Sequence, residues 1–331
     1  MTYAKGSSIL AVDYNNFTGG QEPTVAFGSG AAATNKASGL FGVGYGDRGY
    51  GQTGISLPAL SAGNSILASN WAALRSAIST SASHQGTAVT LLPPAASAGG
   101  SVVAHEQDAP SSNAYDYQNM LANIDTNRFN TNSGASMTLT ASAQSITRTL
   151  VWGSGAAINI YAGCTYNFSS ENAARYFFNS GGELRLVLSH PSSSGSQNTS
   201  WNTLLSGIGT IKFAANGTTR TGTSGTPATT VGYYQMTTSP QGILDATNAG
   251  GGAYTANDCN VYAWAVAITG LNGAKGYQIN FQVNLQDQHT GTSDTVAAAT
   301  TNAQFGYLKA TSPLSGIVSP TVTPYASFIN Y

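Results

Sequence analysis

Charged side chains are scarce in this sequence. Aspartate, glutamate, lysine and arginine make up 8% of its 331 residues, against about 25% in an ordinary soluble domain. The basic residues number 12 and the acidic residues 13, with no basic cluster, which argues against nucleic-acid binding through phosphate neutralisation. A free monomer is usually kept in solution by net charge. We therefore expect other subunits to cover much of this weakly charged surface.

Long apolar runs and a secretory signal are also missing. The first apolar stretch covers only residues 9–12, and no later run approaches the roughly 20 residues of a membrane span. We expect a chain that is made and folded in a cytosol, with no membrane partner. The two cysteines, Cys164 and Cys259, lack metal-ligand spacing. Both are expected to be reduced and buried, with a disulfide as the alternative.

Recognisable catalytic motifs are absent as well. No Gly-x-Ser-x-Gly elbow occurs, and the His-Glu stretch at 105–109 ends on alanine where a zinc protease has histidine. Two acid pairs that could act on a sugar can be named, Glu106 with Asp108 and Glu171 with Glu183, but no pattern brings either pair together. We expect no catalytic residue, no metal, no cofactor and no enzyme activity.

The remaining histidines are expected at the surface. His84 and His190 lie beside turn-like sequence, where they would be exposed or would cap helices. Asp287 and His289 share a face at the end of a predicted strand. They would form a hydrogen-bonded surface pair, with a metal or pH-responsive contact as the alternative.

The first part of the chain predicts a small helical domain. Residues 1 to about 60 are glycine-rich, and a loop at 42–52 carries Tyr45 and Tyr50. Two amphipathic helices are predicted, at about 64–80 and 113–129. Their apolar stripes are Leu67, Trp71, Leu74 and Ile78 in the first and Tyr117, Leu121 and Ile124 in the second. We therefore predict an N-terminal docking domain over 1–130, ending at the small polar residues 131–136.

Residues 137–311 predict an antiparallel β-sandwich. Apolar residues alternate with amides from 277 to 285, and a second alternating run at 261–268 has apolar residues on both faces, as in a central strand. An Asn-Gly pair at 272–273 predicts a hairpin between them. Further strands are predicted at 184–188, 210–214, 230–236 and 304–308. The core anchors are expected to be Trp71, Tyr117, Phe177, Trp201, Trp264 and Phe281.

The last 20 residues, 312–331, predict a separate tail. Pro313, Pro320 and Pro324 should keep this segment out of a sheet interior, because proline cannot donate a ladder hydrogen bond. Its aromatic residues should still find cover on the same domain or on a neighbouring subunit.

One block predicts a helix, a turn and a strand in succession. Its aromatic residues would pack in the core, and its glycines can take the positive φ that a tight turn needs. A ligand site formed by Arg175, Asn179 and Arg185 is the alternative. The block consists of Arg175, Tyr176, Phe177, Phe178, Asn179, Ser180, Gly181, Gly182, Glu183, Leu184 and Arg185, followed by Trp201, Leu205, Gly209, Ile211 and Phe213.

This block resembles a pattern in structural proteins of tailed bacteriophages, in which Arg-Tyr-Phe-Phe-Asn-Ser-Gly-Gly leads into a strand. A Trp-x-x-x-Leu helix and a Gly-x-Ile-x-Phe strand follow in those proteins. The early Asp-Tyr-Asn at 13–15, the Gly-Tyr-Gly-Gln at 49–52 and the Trp71 helix resemble them too. The resemblance implies a non-enzymatic component of the virion, in the tail, baseplate, neck, collar or fibre.

Several functions therefore stay open at this point. The leading hypothesis is a structural protein that contacts other virion proteins and copies of itself, as a trimer or hexamer. An alternative is a receptor-binding module for host-surface glycan, with Tyr45, Tyr50, Tyr233 and Tyr234 stacking on sugar rings. A cellular surface protein is a third possibility, which the missing export signal disfavours.

Overall fold

The computed structural model describes the chain in segments. They are residues 14, 60–61, 64–88, 120, 123–124, 127, 130–132, 136–153, 158–191, 194–248, 252–266, 268, 274–289, 295–298, 300–312 and 317–330. These segments contain a helix of the N-terminal region and a β-sandwich.

The described residues form mainly strands. The helices are α1 (Ala68–Gln85), α2 (Glu171–Asn179) and α3 (Ser196–Ile208), with a 3-10 turn at Tyr233–Gln235. The strands are β1 (Ser136–Thr147), β2 (Ile158–Asn167), β3 (Glu183–Ser189), β4 (Thr210–Phe213), β5 (Thr218–Arg220), β6 (Thr226–Pro227), β7 (Gln241–Thr247), β8 (Asp258–Ala265), β9 (Gln278–Asp287), β10 (Asn302–Ser312) and β11 (Thr321–Asn330). The predicted fold class, mainly β with a smaller helical N-terminal part, is confirmed.

The strands make two antiparallel sheets. The five-stranded sheet has the order β1-β10-β3-β4-β5, and the six-stranded sheet has the order β11-β2-β9-β8-β7-β6. Their inner faces enclose one core, in which the rings of Phe213 and Phe281 meet edge to face at 5.4 Å. The hydroxyl of Tyr166, on β2, reaches across this core to the Arg185 carbonyl oxygen of β3, 2.9 Å away. The predicted antiparallel sandwich is therefore present.

The Arg-Tyr-Phe-Phe block forms the predicted succession of helix, turn and strand. Ser170 caps α2 by accepting a hydrogen bond from the Ala173 amide at 3.1 Å. Gly181 ends the helix at φ +80°, and a β-carbon on Gly182 would lie 2.5 Å from the carbonyl oxygen of Phe177. These contacts explain why two glycines follow the aromatic residues. The fully or nearly fully buried side chains of α2 include Arg175, Phe177, Phe178 and Asn179.

Helix α1 buries most of its predicted stripe. Trp71, Leu74 and Ile78 are buried, whereas Leu67 is 57% exposed. The reason is that α1 begins at Ala68, so Leu67 occupies the N-cap, where its amide donates to the Asn70 side chain at 2.7 Å. The expectation of a fourth apolar contact at Leu67 was wrong.

The helical region has a small core of its own. The ring of Tyr14 packs edge-on against Trp71 at 5.4 Å, and its hydroxyl donates to the Asn70 carbonyl. Met120 and Ile124 are helical and buried, and Gln85 donates to the Ile124 carbonyl at 2.9 Å. These two residues fall in the second predicted helix. Two members of its predicted stripe, Tyr117 and Leu121, lie outside the described residues.

His84 joins α1 to the sandwich. Its Nε2 lies 2.9 Å from the carbonyl oxygen of Ser180, in the turn after α2. The side chain is fully buried, so the predicted exposed position is wrong. The predicted alternative, a helix cap, agrees with the contact, because Ser180 is the C-cap residue of α2. Burial lowers the pKa of His84, and the bond to the Ser180 carbonyl opposes this shift. The imidazole therefore favours its neutral form, with Nε2 donating to the carbonyl.

Two strand predictions need correction. Residues 230–236 form turns and the 3-10 helix instead of a strand, and the next strand is β7. In β8 the inward face carries Cys259, Val261, Ala263 and Ala265, and Trp264 is only half-buried on the opposite face. Trp264 was predicted as a core anchor, but it is only partly buried against the core. The small residues face inward because the opposing layer already supplies large rings.

The C-terminal segment is a strand of the sandwich and not an appended tail. Strand β11 pairs antiparallel with β2 and forms one edge of the six-stranded sheet. Pro324 lies opposite Cys164, and the register shifts between Pro324 and Ala326. An edge strand needs no amide donor on its outer side, so it tolerates proline. Ser312, the expected first residue of a tail, ends β10.

Candidate binding face

The outer face of the six-stranded sheet carries amides and aromatic rings and no basic side chain from its strands. Alternation along β2, β8 and β9 sends apolar residues into the core and polar residues outward. We define the amide face by its members: Asn159, Tyr161, Thr165, Asn167, Asn260, Tyr262, Trp264, Gln278, Asn280, Gln282 and Gln286, together with Tyr325 of β11. Asn284 shares this register but is itself buried.

The antiparallel register places these side chains in rows across three strands. One row contains Thr165, Asn280 and Trp264, and the next has Gln282 beside Tyr262. Thr165 donates to the Asn280 side-chain oxygen at 2.5 Å. A primary amide can make up to about four hydrogen bonds, so this contact leaves most of the hydrogen-bonding capacity of Asn280 for other groups.

Tyr325 lies across this face at a glycine. Its ring rests on the backbone at Gly163, where a β-carbon would overlap the Cζ atom of the ring. Its hydroxyl donates to the Phe281 carbonyl of β9 at 3.1 Å. Burial, the largest effect, raises the pKa of the Tyr325 phenol. The ring is thus fixed at both ends while the side chain stays 45% exposed.

Trp264 stands beside Tyr325. The two ring centroids are 6.3 Å apart, with an angle of 67° between the ring planes. Trp264 is the only one of the four tryptophans that is not buried, because Trp71, Trp152 and Trp201 are all at most 3% exposed. Together Trp264 and Tyr325 make a shallow aromatic corner bordered by amides.

The two sheets differ in charge. The six strands of this sheet contain no lysine, arginine or histidine, and their acids are Asp245, Asp258 and Asp287. Asp287 is buried at the end of β9, so of these three acids Asp245 and Asp258 border the amide face. The cations within strands all lie in the other sheet: Arg185, Lys212, Arg220 and Lys309.

Arg175, Asn179 and Arg185, the alternative ligand site, do not come together. Arg185 points outward from β3 and pairs with Glu183 at 2.7 Å. Arg175 is fully buried, with one N–H donated to the Asn172 side chain at 2.8 Å. Burial lowers the pKa of Arg175, while nearby tyrosines oppose this shift. Arg175 and Asn179 therefore support the interior, and Arg185 belongs to the outer surface.

Two of the four tyrosines expected to meet a glycan, Tyr233 and Tyr234, are described, and neither is fully exposed. Tyr233 is fully buried, stacked on Phe178 with centroids 4.5 Å apart, and its hydroxyl donates to the Gly276 carbonyl. Burial raises the pKa of the Tyr233 phenol. Tyr234 is half-buried and donates to the Asn179 side chain. Exposure of Tyr233 was a wrong prediction, and Tyr45 and Tyr50 lie outside the described residues.

A buried carboxylate occupies one end of the sandwich. Asp287 is fully buried, and it accepts hydrogen bonds from the Gln197 side chain and from the His289 amide. A β-carbon at Gly153 would lie 2.6 Å from the carboxylate oxygen Oδ2. Burial raises the pKa of Asp287, although these donors counteract it. The prediction of a surface pair between the Asp287 and His289 side chains is therefore wrong. His289 contacts Asp287 through its backbone amide and packs its ring on Tyr254.

His190 is held in the same end of the core. The Asn198 amide nitrogen donates to the Ser194 and Thr295 carbonyls, so its oxygen is the acceptor that faces His190 Nε2 at 3.0 Å. His190 Nε2 must then carry a proton, and Nδ1 can accept from the Thr301 hydroxyl. Burial lowers the pKa of His190. The expected exposed position is thus incorrect.

The thiols are buried, and of the predicted acid pairs only Glu171 and Glu183 lie among the described residues. Cys164 and Cys259 are free and buried, and burial raises the pKa of Cys164 to about 12. Within these segments no group of three His, Cys, Asp or Glu residues could hold a metal ion. Glu183 is paired with Arg185, and residues 105–109 lie outside the description.

No helix among the described residues is both long and apolar enough to span a membrane.

Comparison with known proteins gave no match to a protein family, to a curated protein or to a solved structure. Inferences about function therefore depend on the fold and on its exposed side chains. Alternation in the sequence already showed amides on one side of β9. It did not show Tyr325, because no local pattern predicts that a residue from β11 will lie on Gly163 of β2.

Proposed function

We propose that this protein is a non-enzymatic structural component of a tailed-bacteriophage particle, in the tail, baseplate, neck, collar or fibre. The resemblance of the Arg-Tyr-Phe-Phe block to structural proteins of tailed bacteriophages supports a location in the virion. The low content of charged residues, 8%, supports a protein whose surface is largely covered by other subunits. The chain would contact copies of itself and other virion proteins, and its function would be mechanical.

The observation that carries this proposal is a group of three exposed apolar residues near the place where the two sheets meet. Leu150, Val151 and Ile329 are 63%, 54% and 47% exposed. They lie around Arg148, which donates to the Leu150 carbonyl, the Phe328 carbonyl and the Asn330 side chain. Strands β1 and β11, the outermost strands of the two sheets on this side, are thereby tied together. We call these three apolar residues the junction patch.

The junction patch is held in a rigid setting. Phe328 is fully buried and has φ +47°, a conformation that costs a non-glycine residue about 1–3 kcal/mol. Its carbonyl is one of the Arg148 acceptors, so the arginine bond helps to hold this backbone. Preorganised apolar residues beside open strand edges favour association with another chain. Identical subunits would bury this patch in a closed ring, as a trimer or hexamer.

Washed particles and the purified protein provide the test. The proposal expects the chain among the proteins of washed virions and expects the purified protein to form oligomers. Leu150→Asp should shift these oligomers toward monomers, because it places a charge in the apolar contact. Val266→Asp, at a residue that is 49% exposed outside the junction patch, is the matched control.

Three results would count against the proposal. The chain could be missing from washed particles, the purified protein could be strictly monomeric, or Leu150→Asp and Val266→Asp could have the same effect on oligomers. Turnover of a substrate by the purified protein would contradict the proposal that the protein is non-enzymatic.

A further inference from the structure

We propose that the aromatic corner of Trp264 and Tyr325, with the surrounding amide face, binds an uncharged polysaccharide. This inference does not rest on the particle proposal, since a glycan-binding face can belong to a protein of any location. It rests on three properties of the face: fixed exposed rings, a dense set of amides and the absence of cations in the sheet that carries it.

The rings have the geometry of a sugar platform. The face of an aromatic ring is electron-rich, so it attracts the weakly positive C–H groups on one side of a pyranose. Tyr325 is held by its hydrogen bond to the Phe281 carbonyl and by its seat on Gly163. Because the ring is already fixed, binding loses little side-chain entropy. Trp264, inclined at 67°, gives the corner a second wall.

The amides supply the hydrogen bonds. Neighbouring strands lie about 4.8 Å apart, so Asn280 and Gln282 of β9 present donors and acceptors close to Trp264 and Tyr262 of β8. Each amide is both donor and acceptor and can match a sugar hydroxyl in either role. Charged side chains would favour a ligand of opposite charge, whereas amides suit a neutral polysaccharide with many similar hydroxyl groups.

Charge excludes the other large classes of ligand. No strand of this sheet has a lysine, arginine or histidine to pair with sulfate, phosphate or uronate. Asp245 and Asp258 border the face and would repel such groups. Anionic polysaccharides and nucleic acids are therefore disfavoured. A neutral polysaccharide meets no such repulsion, and the two carboxylates can accept hydrogen bonds from its hydroxyls.

A second copy of the chain is the competing occupant. An interface centred on this face would bury many amides against each other, and each would need a partner at the right position. The junction patch offers exposed leucine, valine and isoleucine for that purpose at lower desolvation cost. We therefore assign contacts between copies to the junction patch and the sugar to the amide face.

Trp264 makes the proposal directly measurable. The other three tryptophans are buried, so acrylamide quenching of the full-length protein should report mainly on Trp264. Dextran, mannan and galactan serve as neutral probes, with carboxymethyl dextran and polygalacturonate as anionic ones. The expected result is saturable protection of the fluorescence from quenching by at least one neutral probe and no protection by the anionic ones.

Variants locate the binding. Trp264→Ala and Gly163→Ala should each weaken retention on the immobilised neutral probe by at least about tenfold, which corresponds to about 1.4 kcal/mol. Trp264→Phe keeps a ring and should lose less. Lys212→Ala, on the outer face of the five-stranded sheet, should bind as the native chain does. Unchanged far-ultraviolet circular dichroism shows that a variant has folded.

Four outcomes would overturn the proposal. They are no protection by any neutral probe at millimolar sugar, stronger binding of an anionic probe, native binding by folded Trp264→Ala, and protection that depends on protein concentration without sugar. The last outcome would assign the face to a second copy. None of the four would bear on whether the chain occurs in washed particles.

Discussion

The ring of Tyr325 lies directly on the backbone of Gly163. The two residues are far apart in sequence, and the pairing of β11 with β2 brings them together. This contact fixes the exposed ring and fills the space that a side chain on Gly163 would occupy. A glycine is required at position 163 because the ring approaches the backbone this closely.

Gly163→Ala should displace the Tyr325 ring. We expect the free energy of unfolding to fall by about 1–3 kcal/mol, as for other overpacked sites, in urea unfolding followed by circular dichroism. In a Tyr325→Ala background the same substitution should cost much less, because the clashing ring is gone.

The control for this substitution is Gly242→Ala. Gly242 lies on β7 with no atom within 4 Å of the added β-carbon, so a change within about 0.5 kcal/mol is expected. Equal losses at Gly163 and Gly242, or an unchanged loss without Tyr325, would contradict the assigned contact.

Arg175 should be far more important for stability than Arg185. Arg175 is fully buried, so Arg175→Ala removes most of a packed side chain, leaves a cavity and should cost about 2–5 kcal/mol. Arg175→Met, of more similar volume and without charge, should cost less.

Arg185→Ala in the same block is the matched control. Its surface ion pair with Glu183 should contribute only about 0–1 kcal/mol. Unfolding in urea measures all three variants. Comparable losses at the two arginines would show that burial of Arg175 does not have the stated effect.

Acid should weaken the fold through His84 and His190. Burial lowers the pKa of each in the folded protein, so below about pH 6.5 the unfolded chain takes up protons that the folded chain does not. Stability should therefore fall as the pH falls, by up to about 1.4 kcal/mol per pH unit for each histidine. Urea unfolding between pH 7.5 and 5, chosen to span about pH 6.5, tests this.

Replacing one histidine should flatten this dependence, and replacing both should flatten it further. His84→Gln and His190→Gln, alone and together, are the variants to compare. Each variant must be compared by slope and not by stability alone, since glutamine will disturb the packing. A double variant that keeps the native slope would contradict the prediction.

Asp287→Asn should have the opposite pH signature. Burial raises the pKa of Asp287 in the folded protein. As the pH rises above about 3.9, the unfolded chain therefore releases this proton before the folded chain does, and the folded state loses stability. Asparagine removes this cost, and a turn of the Gln197 amide would let its oxygen accept from the new N–H. The stability of the variant relative to the native chain should thus rise as the pH increases from 4 to 8, a range that begins near the unfolded pKa of about 3.9.

Asp245→Asn is the control, since Asp245 is exposed on β7. It should change stability by no more than about 0.5 kcal/mol. A relative stability of Asp287→Asn that stays level or falls over the same pH range would refute the argument.

The sequence alone determined the elements whose patterns are local. Period-two alternation predicted β9, and the helical spacing of Trp71, Leu74 and Ile78 predicted α1. The glycines after Phe177 and Phe178 predicted a tight turn, which the structure contains at Gly181. In each case the residues that determine the element lie within the element or a few residues from it, so a short window of sequence was sufficient.

Tertiary structure alone decided which side chains share a surface. Whether Trp264 or Ala263 faces the core depends on the rings of the opposite sheet, and the burial of Tyr233, His190 and Asp287 depends on layers that are distant in sequence. The amide face itself requires the register of three strands and the return of β11. Its physical basis is long-range packing and strand pairing, which local propensity does not encode.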